Sequence, residues 1–242
     1  MTTDSASPAD DSDSLLEARH GGFLDVGSRR LITRLAGLPW SDDVYLAGSA
    51  ALALYLGHRR VRDLDIMGYR RLASPERRDM LQSLLKLDPA VQVETARDGY
   101  FFLRFSEEGD FGGAGLRIFY YPYPLIDPED WISDFAVASA LDLALMKLGA
   151  VISRGHRRDF VDLYLLSRRL PLRQVLERAG DKFGHVRDFP LQALKGLADL
   201  HAAGQEPAPR LEVECRWSEV ESWVRGEVRE VARDYVGLED DG

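Results

Sequence analysis

The chain has 242 residues, and 45% of them are hydrophobic, so it can bury one large core or two small ones. Its formal charge of −9 lies mostly at the two ends, where residues 1–14 carry −4 and residues 239–242 carry −3, so the acidic composition says little about the partners of the body. A single cysteine excludes an internal disulfide or a cysteine-based zinc site, and without a basic leader or a long apolar run we expect a cytoplasmic protein.

The two ends and the middle of the chain differ in composition. Residues 1–14 and 237–242 are acidic and poor in apolar side chains, which predicts disordered tails. Residues 15–130 alternate short apolar runs with helical patterns, whereas residues 131–236 show helical patterns. We therefore predict an α+β domain over residues 15–130, followed by a helical domain over residues 131–236.

The first domain opens with a predicted helix and a compact strand–helix–strand unit. Apolar side chains recur at helical spacing across residues 14–36. A short apolar strand over residues 44–48 ends at a glycine, and Ser49 is placed to cap an apolar helix that ends at Gly57. The next strand, over residues 64–67, completes the unit.

The remaining elements follow from the same patterns. A helix over residues 75–87 precedes three strand-like runs, and a glycine-rich loop separates the last two of them. These runs cover residues 91–95, 100–105 and 116–121. The helices expected in the second domain cover residues 131–152, 159–169, 172–179, 191–200 and 218–235.

The strand–helix–strand unit carries the main candidate site. Residues two apart in a strand share a face, so Asp63 and Asp65 point the same way, with Cα atoms about 6.5–7 Å apart, which lets both carboxylates bind one Mg²⁺. Gly48 and Ser49 lie at a helix start, where free backbone N–H groups and the helix dipole favour a phosphate. The alternative is a purely structural one, a capped helix followed by a strand with a polar outer face.

A basic segment lies between these two motifs. His58, Arg59, Arg60 and Arg62 directly precede the carboxylates. They form either a solvated turn or, beside a metal–phosphate site, a set of contacts to a triphosphate or an RNA backbone.

A second group of charged residues lies in the predicted helical domain. Lys147 is the one cation of an otherwise apolar or acidic helix, so it is expected to point towards a site or an acidic partner. Arg157 belongs to a basic loop, and Asp159 and Asp162 follow it at the start of the next helix. Acids in a first helical turn also stabilise the helix dipole, which is the structural alternative for this pair.

Three blocks of the sequence resemble the AbiEii/AbiGii-type toxin nucleotidyltransferases of the DNA polymerase β-like superfamily. They read LAGSAALALYLGHRRVRDLDIM, YYPYPLI and LALMKLGAVISRGHRRDFVDLYLL, and they stand in the family's order within residues 44–169. The resemblance implies a polymerase β-like core, with a mixed sheet and flanking helices. It also implies transfer of a nucleotide to an acceptor, in some members the 3′ end of tRNA, and neutralisation by a separately encoded antitoxin protein.

The resemblance also implies roles for single residues. Asp63 and Asp65 would hold Mg²⁺ and act in catalysis, together with Lys147 and Asp159. The resemblance also implies nucleotide binding by Gly48 and Ser49. Together with Arg59, Arg60, Arg157 and Asp162 from the two charged segments, they are the candidate substrate-binding residues.

One feature departs from the superfamily pattern. A later strand commonly supplies a third carboxylate, but residues 116–121 contain no acid, which leaves Glu94 or Asp159 as substitutes. The leading hypothesis is therefore an Mg²⁺-dependent nucleotidyltransferase whose acceptor is an RNA, with tRNA as the favoured candidate. The alternatives are a nucleotide- or RNA-binding module of the same fold that has lost catalysis, and an enzyme that nucleotidylates protein.

Overall fold

The computed structural model describes residues 22–97 and 99–236. The strands are β1 (Val44–Ala47), β2 (Leu64–Gly68), β3 (Gln92–Arg97), β4 (Tyr100–Arg104), β5 (Gly115–Tyr120), β6 (Asp130–Ile132) and β7 (Phe135–Val137). The helices are α1 (Val26–Ala36), α2 (Gly48–Leu56), α3 (Ser74–Leu85), α4 (Ala140–Ser153), α5 (Arg157–Ser167), α6 (Leu172–Glu177), α7 (Ala179–Phe183), α8 (Phe189–Ala198), α9 (His201–Gln205) and α10 (Trp217–Val236). In this part of the chain the strands form one mixed sheet in the order β3-β4-β5-β2-β1-β7-β6. The expected α+β class is confirmed.

The centre of the sheet positions the candidate site. Strand β2 is antiparallel to β1 and parallel to β5, so Ala47, Asp65 and Arg117 lie side by side across three strands. Leu64 and Ile66 are fully buried on the opposite face of β2, as strand alternation requires. The burial of these two side chains therefore fixes the orientation of the polar face of β2, which carries Asp65.

The C-terminal helices pack against the strand–helix–strand unit. Helix α4 contacts α2 and α5, and α10 contacts α5 and α8. Helix α10 contributes the buried side chains Val220, Val224 and Val231. This packing brings residues of the helical part beside the first turn of α2. None of the helices in the described ranges is long and apolar enough to cross a membrane.

The predicted helix over residues 131–152 is wrong for its first part. Residues 130–137 form the β6–β7 hairpin, whose turn residues Ser133 and Asp134 have φ of 48° and 60°. Strand β7 pairs in parallel with β1 through Leu46 and Val137, and the helix begins only at Ala140. Strands of three residues are too short to show a period, so only the tertiary pairing reveals them. The division into two domains at residue 130 stays a prediction.

Smaller differences occur elsewhere. Helix α1 begins at Val26, because Leu24 forms a bridge with Val61. The earlier part of the predicted helix, residues 14–21, lies outside the described residues. The same holds for both predicted tails. The helix predicted over residues 172–179 is followed at once by α7, and α9 was not predicted. The other predicted strands and helices are confirmed to within a few residues at each end.

Candidate active site

The first turn of α2 forms one wall of the site. Gly48 has a φ of 61°, a left-handed conformation that glycine adopts without strain. A Cβ atom at this position would also collide with Oδ2 of Asp65. The cap residue is Ala47 rather than the predicted Ser49, and it has no side-chain cap bond, so the backbone N–H groups at the helix start have no side-chain acceptor from the cap.

The two carboxylates of the Asp-x-Asp motif share one guanidinium group. Nη1 of Arg117 donates to Oδ1 of Asp65 at 2.8 Å, and Nη2 donates to Oδ2 of Asp63 at 3.0 Å. The other oxygen of Asp63 accepts from Arg104 at 3.0 Å and from the backbone N–H of Gly115 at 3.1 Å. The structure therefore places both acids on one face, as expected, but with a cation already between them.

Arg117 is the main residue that the sequence interpretation missed. It is the one charged residue of β5, on the strand that pairs with β2, and it stands directly opposite Asp65. A lone arginine in an otherwise apolar strand was a detectable signal. The partner strand was not detectable, because strand order is not written in any local pattern.

The residues present suit one divalent cation. Among the described residues there is no group of three or more acidic, histidine or cysteine side chains that could hold a metal ion. The proposed substitutes for a third carboxylate do not reach the pair: Glu94 accepts a bond from Arg104 on the exposed edge of the sheet, and Asp159 is fully buried in another group. Two carboxylates can bind Mg²⁺ when water and substrate phosphates complete its shell, as is usual for this ion. Asp63 and Asp65 fit that role.

Lys147 lies in the middle of α4, on the side that faces α5. Its Nζ is 2.8 Å from Oδ1 of Asp159 and 2.6 Å from Oδ2 of Asp162, and all three side chains are buried. Arg154 also donates to both oxygens of Asp159, at 2.9 and 3.1 Å. Lys147 and Arg154 line a cavity beside the first turn of α2, whereas the two aspartates lie behind them. In this geometry the four side chains form one charged cluster, the α4–α5 group, in which Asp159 and Asp162 hold the two cations towards the cavity.

The ion pairs keep both aspartates charged. Burial by itself would raise the pKa of Asp162, but the charge of Lys147 and the hydrogen bond with His58 outweigh it, so the pKa lies well below its usual range. Burial acts in the same sense on Asp159. The hydrogen bond from Arg154 and the charge of Lys147 nevertheless lower the pKa of Asp159.

The basic segment before β2 divides into buried and exposed members. Nε2 of His58 is 2.8 Å from Asp162, and the ring is buried. Arg59 donates to the hydroxyl of Ser49 at 2.8 Å and to Asp162 at 3.3 Å, so it joins the first turn of α2 to the α4–α5 group. Arg60 points outward and pairs with Glu212 at 3.2 Å.

Arg157 is not brought to the site. Its guanidinium group donates to the backbone carbonyl of Glu206 at 2.7 Å and lies 4.7 Å from the centre of the Trp217 ring. Arg154 and Arg158 line the cavity in its place. Neighbouring residues on a helix point about 100° apart, so the basic loop alone could not show which of its arginines faces the cavity.

Several of these groups line a cavity of about 740 Å³. One end is cationic and includes the helix start, and its residues are Gly48, Ser49, Asp65, Arg117, Lys147, Arg154 and Arg158. The other end is aromatic and apolar, with Phe119, Tyr121, Tyr123, Phe183, Val186 and Phe189. The volume of the whole cavity lies in the range of small-molecule sites.

A buried ion pair holds part of the aromatic end. Asp142 accepts from the backbone N–H groups of Ile126 and Asp127, each at 3.2 Å, and from Lys182 at 2.7 Å. Lys182 donates in addition to the carbonyl oxygen of Pro124 at 2.6 Å. The segment that carries Tyr121 and Tyr123 is thereby tied to α4 and α7. The sequence interpretation did not single out this pair.

A family model and a curated relative match most of the chain. The family described as nucleotidyl transferase AbiEii toxin, Type IV TA system, matches residues 30–215. An uncharacterized protein of Aquifex aeolicus is 27% identical over 215 residues, which cover 86% of this chain and 97% of that protein.

Two solved structures share the fold. A candidate nucleotidyltransferase from Helicobacter pylori superposes with a TM-score of 0.54 at 18% identity, covering 88% of this chain and 95% of that one. The nucleotidyltransferase toxin MenT4 from Mycobacterium tuberculosis superposes with a TM-score of 0.51 at 15% identity, covering 94% of this chain and 90% of that one. The expected nucleotidyltransferase fold, a mixed sheet with flanking helices and a helical C-terminal part, is confirmed.

Proposed function

The chain belongs to the AbiEii nucleotidyl transferase toxin family, and from this premise we propose that it transfers a nucleotide from a nucleoside triphosphate to an RNA acceptor. We expect tRNA as the acceptor, Mg²⁺ as the cofactor and the cytoplasm as the compartment. A cognate antitoxin protein is the proposed partner, in line with the toxin–antitoxin description of the family. The observation that carries the proposal is that one cavity has both a cationic and an aromatic end.

The cationic end suits a triphosphate. Lys147, Arg154, Arg158 and Arg117 line it, and the start of α2 adds backbone N–H groups. Phosphoryl chemistry depends on positioned positive charge rather than on covalent groups of the protein, so such an end can do most of what the reaction needs. The buried carboxylates of Asp159 and Asp162 both hold Lys147 in place, and Asp159 also holds Arg154.

The aromatic end suits a nucleobase. The rings of Tyr121 and Tyr123 lie 5.0 Å apart, and Tyr123 also stacks on His185 at 5.1 Å. Flat aromatic rings bind a base by stacking, whatever the base. A triphosphate at the other end would then direct the base to this wall.

The proposed reaction joins an acceptor hydroxyl to the α-phosphorus. The hydroxyl oxygen forms a bond to that phosphorus as the bond to the pyrophosphate oxygen breaks, pyrophosphate leaves, and the hydroxyl proton passes to solvent. Asp63 and Asp65 would hold the divalent cation, which supplies neutralisation of phosphate charge when bound. Lys147 and Arg154 would bind the phosphate oxygens on which negative charge accumulates.

Incubation with labelled triphosphates and total tRNA tests the proposal. The parent is expected to leave covalent label in the RNA fraction in the presence of Mg²⁺. Asp65→Asn should reduce the label by about a hundredfold or more, the usual scale for loss of one electrostatic group of an active site. Arg97→Gln is the control, since this exposed residue of β3 does not line the cavity.

Other outcomes of the same experiment would overturn the RNA assignment. Label in the protein fraction would make the protein itself, or another protein, the acceptor. Triphosphate binding in calorimetry without any covalent label would identify a binding module. Equal labelling by Asp65→Asn and the parent would remove the metal role of the carboxylate pair.

A further inference from the structure

The residue opposite Asp65 on β5 is a cation. Asp65 and Arg117 are direct partners in the parallel β2–β5 ladder, and both lie on the face that lines the cavity. An acidic side chain at this position would bring a third carboxylate to Asp63 and Asp65. Instead, one guanidinium group is within 3.0 Å of both.

We propose that Arg117 takes the place of a second divalent cation beside Asp63 and Asp65, so that the chain binds its triphosphate with one divalent cation rather than two. The inference rests on the proposed nucleotide transfer. It assigns to a side chain the role that a second metal ion has in two-metal sites, where the ions lie about 3.5–4 Å apart and stabilise the attacking and leaving oxygens.

The formal charges support this assignment. A site with three carboxylates and two divalent ions has a net charge of one positive unit. Two carboxylates, one divalent ion and one guanidinium group have the same net charge. A second divalent ion beside Arg117 would leave the site with three positive units, and it would have to displace the guanidinium group from both of its carboxylates.

The shape of the guanidinium group allows it to serve both sides. It has five N–H donors in a planar fork, and the bonds to Asp63 and Asp65 use one on each terminal nitrogen. The group is a third exposed, at 33%, and lines the cavity together with Gly48 and Ser49. Its other donors are available to a phosphate at the helix start.

Counting bound Mn²⁺ tests the inference directly. The α,β-methylene analogues of ATP, CTP, GTP and UTP are compared first, and the one that binds most tightly is used. The full chain is titrated with Mn²⁺ in the presence of this analogue, and free Mn²⁺ is measured by electron paramagnetic resonance. The parent and Arg97→Gln are expected to bind one Mn²⁺ per chain. Arg117→Glu, which adds a third carboxylate, is expected to bind two.

A second measurement omits the triphosphate. Arg117→Gln should bind Mn²⁺ at the carboxylate pair at least about tenfold more tightly than the parent, because the competing charge is gone. Thermal unfolding of each variant shows that the chains compared are folded. This measurement does not depend on Arg117→Glu being stable.

The outcomes separate this inference from the proposed function. Two Mn²⁺ ions per parent chain, or unchanged Mn²⁺ affinity in Arg117→Gln, would overturn the role of Arg117 and leave nucleotide transfer standing. Failure of the parent to bind any of the four triphosphate analogues would overturn the proposed function itself.

Discussion

At the residue scale, Gly48 is where the backbone and the candidate metal site meet. Its φ of 61° disfavours any side chain, and the space that a Cβ would fill is occupied by the carboxylate of Asp65. The sequence analysis assigned this glycine to a phosphate site at the helix start. The structure adds a second reason, which is that Asp65 needs the same space.

Gly48→Ala should therefore damage both stability and binding. We expect a loss of about 1–2 kcal/mol from the left-handed backbone alone, and at least tenfold weaker triphosphate binding because Asp65 is displaced. Gly99→Ala is the matched control, since Gly99 has a φ of 77° with nothing within 4 Å of its added Cβ. Urea unfolding and calorimetry check the two effects; equal triphosphate affinities in the two variants would show that Asp65 tolerates the extra atom.

At the element scale, helices α4 and α7 hold the segment that carries the aromatic wall. Asp142 on α4 and Lys182 on α7 are both fully or almost fully buried, and between them they bind backbone groups of three residues in the 121–127 segment. Burial lowers the pKa of Lys182, against the effect of Asp142, so the pair is costly to bury. Such a pair is best explained by what it positions.

Lys182→Met should loosen that segment. Removal of one partner of a buried ion pair leaves an uncompensated charge, here on Asp142, and costs about 3–5 kcal/mol. Because Tyr121 and Tyr123 lie on the same segment, we also expect weaker triphosphate binding per folded molecule. Lys195→Met, in the exposed face of α8, is the control and should change neither quantity. Full triphosphate affinity in a destabilised Lys182→Met would limit the pair to a role in stability.

At the scale of the whole molecule, the α4–α5 group joins the helical part to the strand–helix–strand unit. Lys147 and Arg154 come from α4 and its C-terminal end, Asp159 and Asp162 from α5, and Arg59 from the segment after α2. The sequence analysis expected Lys147 to point towards a site or an acidic partner, and its ammonium group contacts two buried aspartates. Replacement of Lys147 by methionine is therefore expected to destabilise the fold.

The lowered pKa values in this group predict how the free energy of unfolding depends on pH. The pKa values of Asp159 and Asp162 are lowered in the folded chain, so the unfolded chain binds more protons below its carboxyl pKa of about 3.9. The stability from these carboxylates is fully present above that pH and is lost as the pH falls through the folded values. Urea unfolding between pH 7 and pH 3 should show a steep loss in the parent below pH 4.

Lys147→Met provides the comparison. Without the ammonium group the folded pKa values of both aspartates should move back towards their usual range, so the variant should be less stable at pH 7 and lose less on acidification. Parallel curves for the parent and the variant would mean that other carboxylates control the acid transition.

The sequence by itself determined the local unit and the face on which its two acids lie. The glycine, the short apolar helix and the Asp-x-Asp strand are neighbours in the chain, and strand alternation puts Asp63 and Asp65 on one face. The contrast of Lys147 with its apolar helix likewise located a buried cation. These signals are readable because each depends on residues a few positions apart.

The tertiary structure alone decided which distant groups complete the site. Arg117 faces Asp65 because β5 pairs with β2 in one register, and Arg158 rather than Arg157 faces the cavity because of the rotation of α5. The β6–β7 hairpin exists because its short strands find an edge beside β1. Strand register, helix rotation and edge pairing are set by packing across the whole core, so no local pattern encodes them.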